Sequence, residues 1–272
     1  MEHIIQEFDE QGYAILKGFF ETSCVKAAWQ ECHVLVDQLT EKLCAENKSD
    51  ERFADQPIET RLIHLYTKYP NETLITFRPE LHLAGFFGLF AHPLLLEIAT
   101  QILGPEIRLY PNYSVRPKLP EDKRTEVLWH QDAGYTSAQA DILRMVNVWT
   151  PLVAVNEHNG CMQFVPGSHR QGVVPHEKEE HYLNISAAHI KPVEDRAVSL
   201  ELDPGDVVIF SNLLFHRGLP NHSSHIRWSV DFRYQDATQS TLRQTQGHLL
   251  RSQAHPELVV KDAQHWSQLQ FQ

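Results

Sequence analysis

The sequence predicts a mainly β protein, a sandwich or barrel of short antiparallel strands with helices from its first third packed on one sheet. Two textures carry that expectation. Up to about residue 105, apolar residues recur at three-and-four spacing, the period of an amphipathic helix. Beyond it, short β-branched or aromatic runs alternate with Pro, Gly and Asn turn clusters. The length, 272 residues of which 42% are hydrophobic and 22% charged, supplies a sizeable core and argues against disorder. It fits one domain, divided into a helical support over about 1–105, a β core over about 106–235 and a C-terminal extension over about 236–272.

Taken in order, the first element is a helix over 23–46, whose stripe is Val25, Ala28, Trp29, Cys32, Leu35, Val36, Leu39 and Leu43. A second begins near Pro93 and runs through Leu94, Leu95, Ile98, Ile102 and Leu103, with proline in the first turn and Gly104 as its stop. Strands are expected over 107–115, 127–132, 145–153, 161–165, 198–202, 207–210 and 226–234. The clearest turns are Asp203-Pro204-Gly205-Asp206 and Pro220-Asn221-His222-Ser223-Ser224. Because strand side chains alternate, Ile226, Trp228, Val230, Phe232 and Tyr234 share one face, suited to the helices. Arg227, Ser229, Asp231 and Arg233 then look into the sandwich, where a charged row needs a ligand, a partner or water. Residues 172–195, charged and poor in apolar positions, read as a surface insertion able to close as a lid.

Charge narrows the partners. With 24 basic residues against 35 acidic ones the formal net charge is −11, which disfavours nucleic acid. It mildly favours neutral, zwitterionic or cationic ligands. The opening MEHIIQEFDEQGYAIL lacks a basic region followed by an apolar run, and no stretch approaches about 18 apolar residues, so neither export nor a membrane partner is expected. Cys24, Cys32, Cys44 and Cys161 form no C-x-x-C and read as reduced, buried thiols of a cytoplasmic protein.

Among 17 histidines, spacing selects the ligands. In His130-Gln131-Asp132 the first and third residues project from one strand face, so imidazole and carboxylate can converge on a metal. Alone that triplet is weak. His216, after the buried-looking run Val207-Val208-Ile209-Phe210, completes two histidines and one carboxylate, a facial set that leaves coordination positions open for oxygen chemistry. If a hairpin centres on Asn221 and His222, Arg227 stands opposite His216. A guanidinium there can grip the far carboxylate of a metal-chelating 2-oxo diacid in a bidentate way.

At this point the sequence resembles the phytanoyl-CoA dioxygenase family of iron(II)- and 2-oxoglutarate-dependent oxygenases. The matching pieces are Phe8-Asp9-Glu10-Gln11-Gly12-Tyr13, His130-Gln131-Asp132 and Asn147-Val148-Trp149-Thr150-Pro151-Leu152. They continue, in the family's order, with Asn159-Gly160, Pro166-Gly167-Ser168-His169-Arg170, His216-Arg217-Gly218 and Arg227. The resemblance implies a double-stranded β-helix of the jelly-roll or cupin type, with the N-terminal helices on its major sheet. It implies iron on His130, Asp132 and His216, and 2-oxoglutarate on Arg227, with Asn112, Gln131 and Trp149 approaching that co-substrate. Where many relatives place a hydroxyl residue two positions beyond the distal histidine, this chain has Gly218. Relatives that halogenate lack the carboxylate, so Asp132 implies hydroxylation over halogenation, with consumption of O2 and release of succinate and CO2, and leaves desaturation, epoxidation or ring formation open.

Tyr135, Thr136 and Ser137, directly after Asp132, are candidates for lining the substrate pocket, as are His64 and Tyr66. Other histidines take plainer readings: a turn for His169, a solvated loop for His222 and His225, and solvent for His158, His176, His181 and His189. Arg116, Lys118, Lys123 and Arg124 are the one local basic cluster, read as a solvated loop balanced by Glu121 and Asp122. The expected function is hydroxylation of a small polar or zwitterionic metabolite, of the kind made in natural-product tailoring. One alternative is an acyl-CoA 2-hydroxylase. A second, of another class, is a non-catalytic protein that holds a metal on the same fold.

Overall fold

Two antiparallel sheets enclose the interior, and in the computed structural model residues 1–72, 76–78, 81–135 and 143–269 are described. Helix α1 (Glu2–Gln11) ends at Gly12, whose left-handed φ of 84° turns the chain into β1 (Tyr13–Leu16). Helices α2 (Thr22–Ala45), α3 (Ile58–Lys68), α4 (Ala84–Phe90) and α5 (Pro93–Leu103) follow, the last bounded by Pro93 and Gly104 as the sequence predicts. Along α2 the expected stripe is buried at Val25, Ala28, Cys32, Leu35, Val36 and Leu43.

Strands β2 (Ile107–Leu109), β3 (Ser114–Lys118), β4 (Val127–His130), β5 (Met145–Pro151) and β6 (Met162–Phe164) come next. The single strand expected over 107–115 is therefore two, broken around Pro111, which cannot donate to a ladder. After them lie the β7 (His176–Lys178) and β8 (Leu183–Ile185) hairpin and a short α6 (Ala187–Ile190). The chain ends with β9 (Val198–Leu200), β10 (Val207–Ser211), β11 (His216–Gly218), β12 (Arg227–Asp236), β13 (His248–Arg251) and α7 (Ala263–Gln268).

The larger sheet has the order β1-β10-β5-β12-β2-β13, with β3 also along β12, and the smaller the order β4-β11-β6-β9. Two boundaries shift accordingly. Strand β1, inside the expected helical support, pairs with β10, and β13, inside the expected extension, pairs with β2. The main core draws on residues from Phe8 to Trp266 and includes Ile226, Trp228, Val230, Phe232 and Tyr234 against the helices. Trp228 meets Trp29 edge-on at 6.3 Å, Phe232 meets Phe90 at 5.0 Å, and the Tyr234 hydroxyl donates to the Phe90 carbonyl at 2.7 Å. Burying apolar side chains of this size contributes about 1.5–3 kcal/mol each. That face fixes the strand so that its opposite face can be spent on polar groups.

The register corrects the hairpin reading. His216 pairs with His130 and Phe164 in the smaller sheet, while Arg227 pairs with Lys118 in the larger one. The 219–225 segment thus crosses between sheets, held by buried Asn221, whose Nδ2 donates to the Lys118 and His225 carbonyls at 2.9 and 2.8 Å. His222 and His225 are exposed on it, as expected. All four cysteines are free thiols, Cys32 and Cys161 buried and Cys24 and Cys44 half-buried. Among the described residues no single helix is long and apolar enough to cross a membrane.

Candidate active site

Neighbouring positions in β4 and β11 bring the two histidines together, with ring centroids 4.0 Å apart. Each imidazole is oriented in the same way. Nδ1 of His130 lies 2.8 Å from the Leu128 carbonyl and Nδ1 of His216 lies 2.8 Å from the Leu214 carbonyl. A carbonyl only accepts, so both rings carry their proton on Nδ1 and leave the Nε2 lone pair for the interior.

Asp132 follows β4, where a 3₁₀ turn over Asp132–Tyr135 begins. Its Oδ1 lies 3.7 Å from His130 Nε2. Its Oδ2 accepts from Asn147 Nδ2 at 2.8 Å and from Arg233 Nη2 and Nε at 2.8 and 3.1 Å. One oxygen is therefore held by the protein and the other is left for a ligand. Burial opposes ionisation of Asp132, but Arg233 and the two histidines outweigh it and hold the carboxyl well below its ordinary range. Burial, reinforced by His130, pushes the His216 imidazole down to about 3, so it stands neutral as a ligand must. One ligand atom from each of His130, Asp132 and His216 lies within 4.8 Å of the others, a separation one metal ion can bridge.

These three residues line a cavity of about 370 Å³ that also includes Arg227, Asn112 and Trp149. Arg227 is 5% exposed, and its Nε has no hydrogen-bond partner among the described residues. Its Nη1 donates to Ser229 Oγ at 2.5 Å, and the guanidinium carbon sits 5.5 Å from the Trp149 ring centroid. Burial lowers its pKa to about 10, the mark of a cation without a close counter-charge. Asn112 likewise has an amide oxygen with no partner among the described residues. The donor set suits a divalent metal, and the unpaired guanidinium suits a carboxylate.

Other expected residues fall elsewhere. Gln131 is fully buried and does not line the cavity: its Nε2 donates to the Gly172 and Leu213 carbonyls at 2.7 and 2.6 Å, and its Oε1 accepts from the Val174 amide at 2.9 Å. It lies between two residues that share a face, so alternation points it away from them. Tyr135 lines the cavity, whereas Thr136 and Ser137 lie outside the described residues. His64 is exposed and stacks on Phe53 at 6.2 Å, and Tyr66 is buried in the helical core. Neither lines the cavity.

The 172–195 segment is not a loose polar insertion. Val174, Ile185 and Ile190 anchor it against Trp129, Val165 and Phe215, while His181 and Tyr182 line the cavity. Tyr182 donates to the Arg124 carbonyl at 2.5 Å and Tyr135 accepts from the Leu183 amide at 2.8 Å. His176 departs from the solvent reading: its Nε2 accepts from the Gln131 amide at 3.2 Å, and burial lowers its pKa. His189 is half-buried beside Ser186 Oγ at 2.8 Å. His169 reaches the Asp9 carbonyl at 3.2 Å, so its contact is not local.

The basic cluster also divides. Arg116 lines the cavity with its Nε on Asp231 at 2.6 Å, buried Lys118 donates to the Thr125 and Gly218 carbonyls at 2.6 and 3.4 Å, and Arg124 folds onto Asp122. What sequence reasoning missed is the supporting role of residues it had otherwise noted: Asn147 and Arg233 hold Asp132, and Asp231 lies between Arg116 and Arg233. Alternation along β5 and β12 is the signal that places them on the same inner face as Trp149 and Arg227.

A jelly-roll-like sandwich with a His-Asp-His set in its cavity that could hold a metal ion gives the class of fold and candidate site. The particular family follows from comparison with known proteins. The family described as "Phytanoyl-CoA dioxygenase (PhyH)" matches residues 8–229, and the chain belongs to it. It is 24% identical over 252 residues to the 1-deoxypentalenic acid 11-beta-hydroxylase of Streptomyces exfoliatus, covering 85% of this chain and 80% of the relative. It is 27% identical over 177 residues to the peroxisomal phytanoyl-CoA dioxygenase of Homo sapiens, covering 62% of this chain and 51% of that one. Among solved structures it resembles the non-heme monooxygenase ThoJ (TM-score 0.64, 20% identity, 92% and 84% of the two chains). It also resembles EctD from S. alaskensis with 2-oxoglutarate and 5-hydroxyectoine (TM-score 0.61, 19% identity, 88% and 77%). These two likenesses concern the fold.

Proposed function

We propose that the chain is an iron(II)- and 2-oxoglutarate-dependent hydroxylase of a small molecule, with His130, Asp132 and His216 holding the metal and Arg227 the far carboxylate of the co-substrate. The observation that carries this reading is Arg227, a buried guanidinium whose Nε has no partner among the described residues, in the same cavity as the three donors. A buried cation is costly unless an anion meets it. Once bound, iron(II), 2-oxoglutarate and O2 supply the chemistry: one C–H becomes C–OH while 2-oxoglutarate becomes succinate and CO2.

The chain's own residues do the placing. The Leu128 and Leu214 carbonyls fix the two imidazoles, and Asn147 with Arg233 fixes the carboxylate, so the donors need little reorganisation. Trp149 braces the guanidinium. Tyr135 and Tyr182, tied to Leu183 and Arg124, form part of the cavity wall.

Natural-product tailoring is the better-supported role over the acyl-CoA alternative. Among the relatives is a hydroxylase named for 1-deoxypentalenic acid. The local basic cluster Arg116, Lys118, Lys123 and Arg124 offers coenzyme A phosphates no single patch, since Lys118 is buried on carbonyls and Arg124 is folded onto Asp122. The test is a split between two variants. Arg227→Ala weakens 2-oxoglutarate binding by about a hundredfold, about 2.7 kcal/mol, and leaves iron bound. His130→Ala abolishes iron binding. Metal analysis and co-substrate titration read both effects, and two variants that bind both groups normally contradict the assignment.

A further inference from the structure

The net charge of −11 describes the whole chain, and the cavity has the opposite sign. Among the described residues its walls contain Arg78, Arg116, Arg217, Arg227, Arg233 and Arg243 against two aspartates, Asp132 and Asp231. Both aspartates are already engaged. Arg233 holds Asp132 Oδ2, and Asp231 accepts from Arg116 Nε at 2.6 Å and Arg233 Nη1 at 3.2 Å. Loading does not relieve the excess, because a divalent metal and a dianionic co-substrate cancel.

The excess has a place. Arg227 is buried, whereas Arg78 and Arg243 are exposed, so they stand at the mouth. Arg243 Nε donates to the Tyr110 hydroxyl at 3.0 Å, which fixes its guanidinium over that ring. Desolvation, then Arg116, with Arg233 and Arg243 adding to it, lowers the pKa of Arg78 despite the opposing pull of Asp231. Like charges are thus crowded at the entrance of a cleft, where low-dielectric walls focus their field. Apolar lining is contributed by Tyr135, exposed, and by Met162 and Phe210, buried deeper in the cavity.

We infer that the primary substrate bears a compact oxyanion, a carboxylate or phosphate on an apolar body, and docks it on Arg78, Arg116 and Arg243 at the mouth of the cavity. This rests on the oxygenase reading of the site. It reverses the preference for cationic ligands drawn from net charge, while a zwitterion keeps its place through its acidic group.

The experiment uses the full chain loaded anaerobically with iron(II) and 2-oxoglutarate and titrated with decanoate, decyl phosphate, methyl decanoate and decylamine. The better of the two anions binds at least about tenfold tighter than the ester, about 1.4 kcal/mol, the amine binds weakest, and added salt narrows the gap. Which anion wins distinguishes a carboxylate from a phosphate substrate. The Arg78→Gln/Arg243→Gln variant loses the preference, and Lys42→Gln/Lys261→Gln, which removes two exposed cations elsewhere, keeps it. An ester or amine that binds as tightly as the anions overturns the inference, as does a preference that survives the arginine substitutions or a series in which nothing binds. Failure of the protein to form a coloured iron–2-oxoglutarate complex is a different result, and it overturns the oxygenase reading.

Discussion

The two faces of β12 are buried to nearly the same degree and closed by different forces. Trp228, Val230, Phe232 and Tyr234 are each 0% exposed, and Arg227, Ser229, Asp231 and Arg233 are no more than 7% exposed. The first face is satisfied by packing against the helices. The second is satisfied by ion pairs and hydrogen bonds, except at Arg227, whose Nε has no partner among the described residues. Burial therefore does not separate scaffold from site here, nor does the pairing of every polar atom, because Trp228 Nε1 on the packed face also lacks a partner among the described residues. What marks the site is the buried charge of Arg227 without a close counter-charge.

Substitutions on the two faces should fail in different ways. The largest expected effect on stability belongs to the packed face. Phe232→Ala should cost about 3–5 kcal/mol by opening a cavity against Phe90, read as a lowered unfolding midpoint in denaturant. The folded fraction of that variant should still bind iron. A smaller effect, of another kind, belongs to the polar face. Asn147→Ala removes one of the groups holding Asp132 Oδ2 and should weaken metal affinity by about 10–100-fold, with little change in the unfolding midpoint. Equal losses of stability and metal affinity in both variants would erase the distinction between the faces.

Much of this contrast was legible in the sequence, because a period of two is a direct consequence of strand geometry. It separated Trp228 from Arg227, and it put His130 and Asp132 on one side. The same rule placed Gln131 on the other side, yet its position inside the motif made it look like a co-substrate contact. What the sequence did not disclose is which sheet a strand joins. A turn such as Pro220–Ser224 looks alike whether the chain reverses within a sheet or crosses to the facing one. His216 and Arg227 consequently meet through the cavity instead of across a ladder.

The basic cluster shows a second limit. In sequence it reads as a solvated loop balanced by Glu121 and Asp122, but its first part belongs to β3, where Pro117 lies opposite Trp228 and alternation turns Arg116 and Lys118 to the other face. Net charge says little about the cavity for a related reason: it averages the whole chain, while a ligand meets only the few residues that tertiary folding gathers.

The central claim is that one cavity holds iron on His130, Asp132 and His216 and 2-oxoglutarate through Arg227. Its most direct test is the absorption spectrum of the metal-free chain after anaerobic addition of iron(II) and then 2-oxoglutarate. A visible metal-to-ligand charge-transfer band that needs both additions is the predicted result. No band, together with tight retention of zinc, would contradict the claim and support a protein that holds a metal without catalysis.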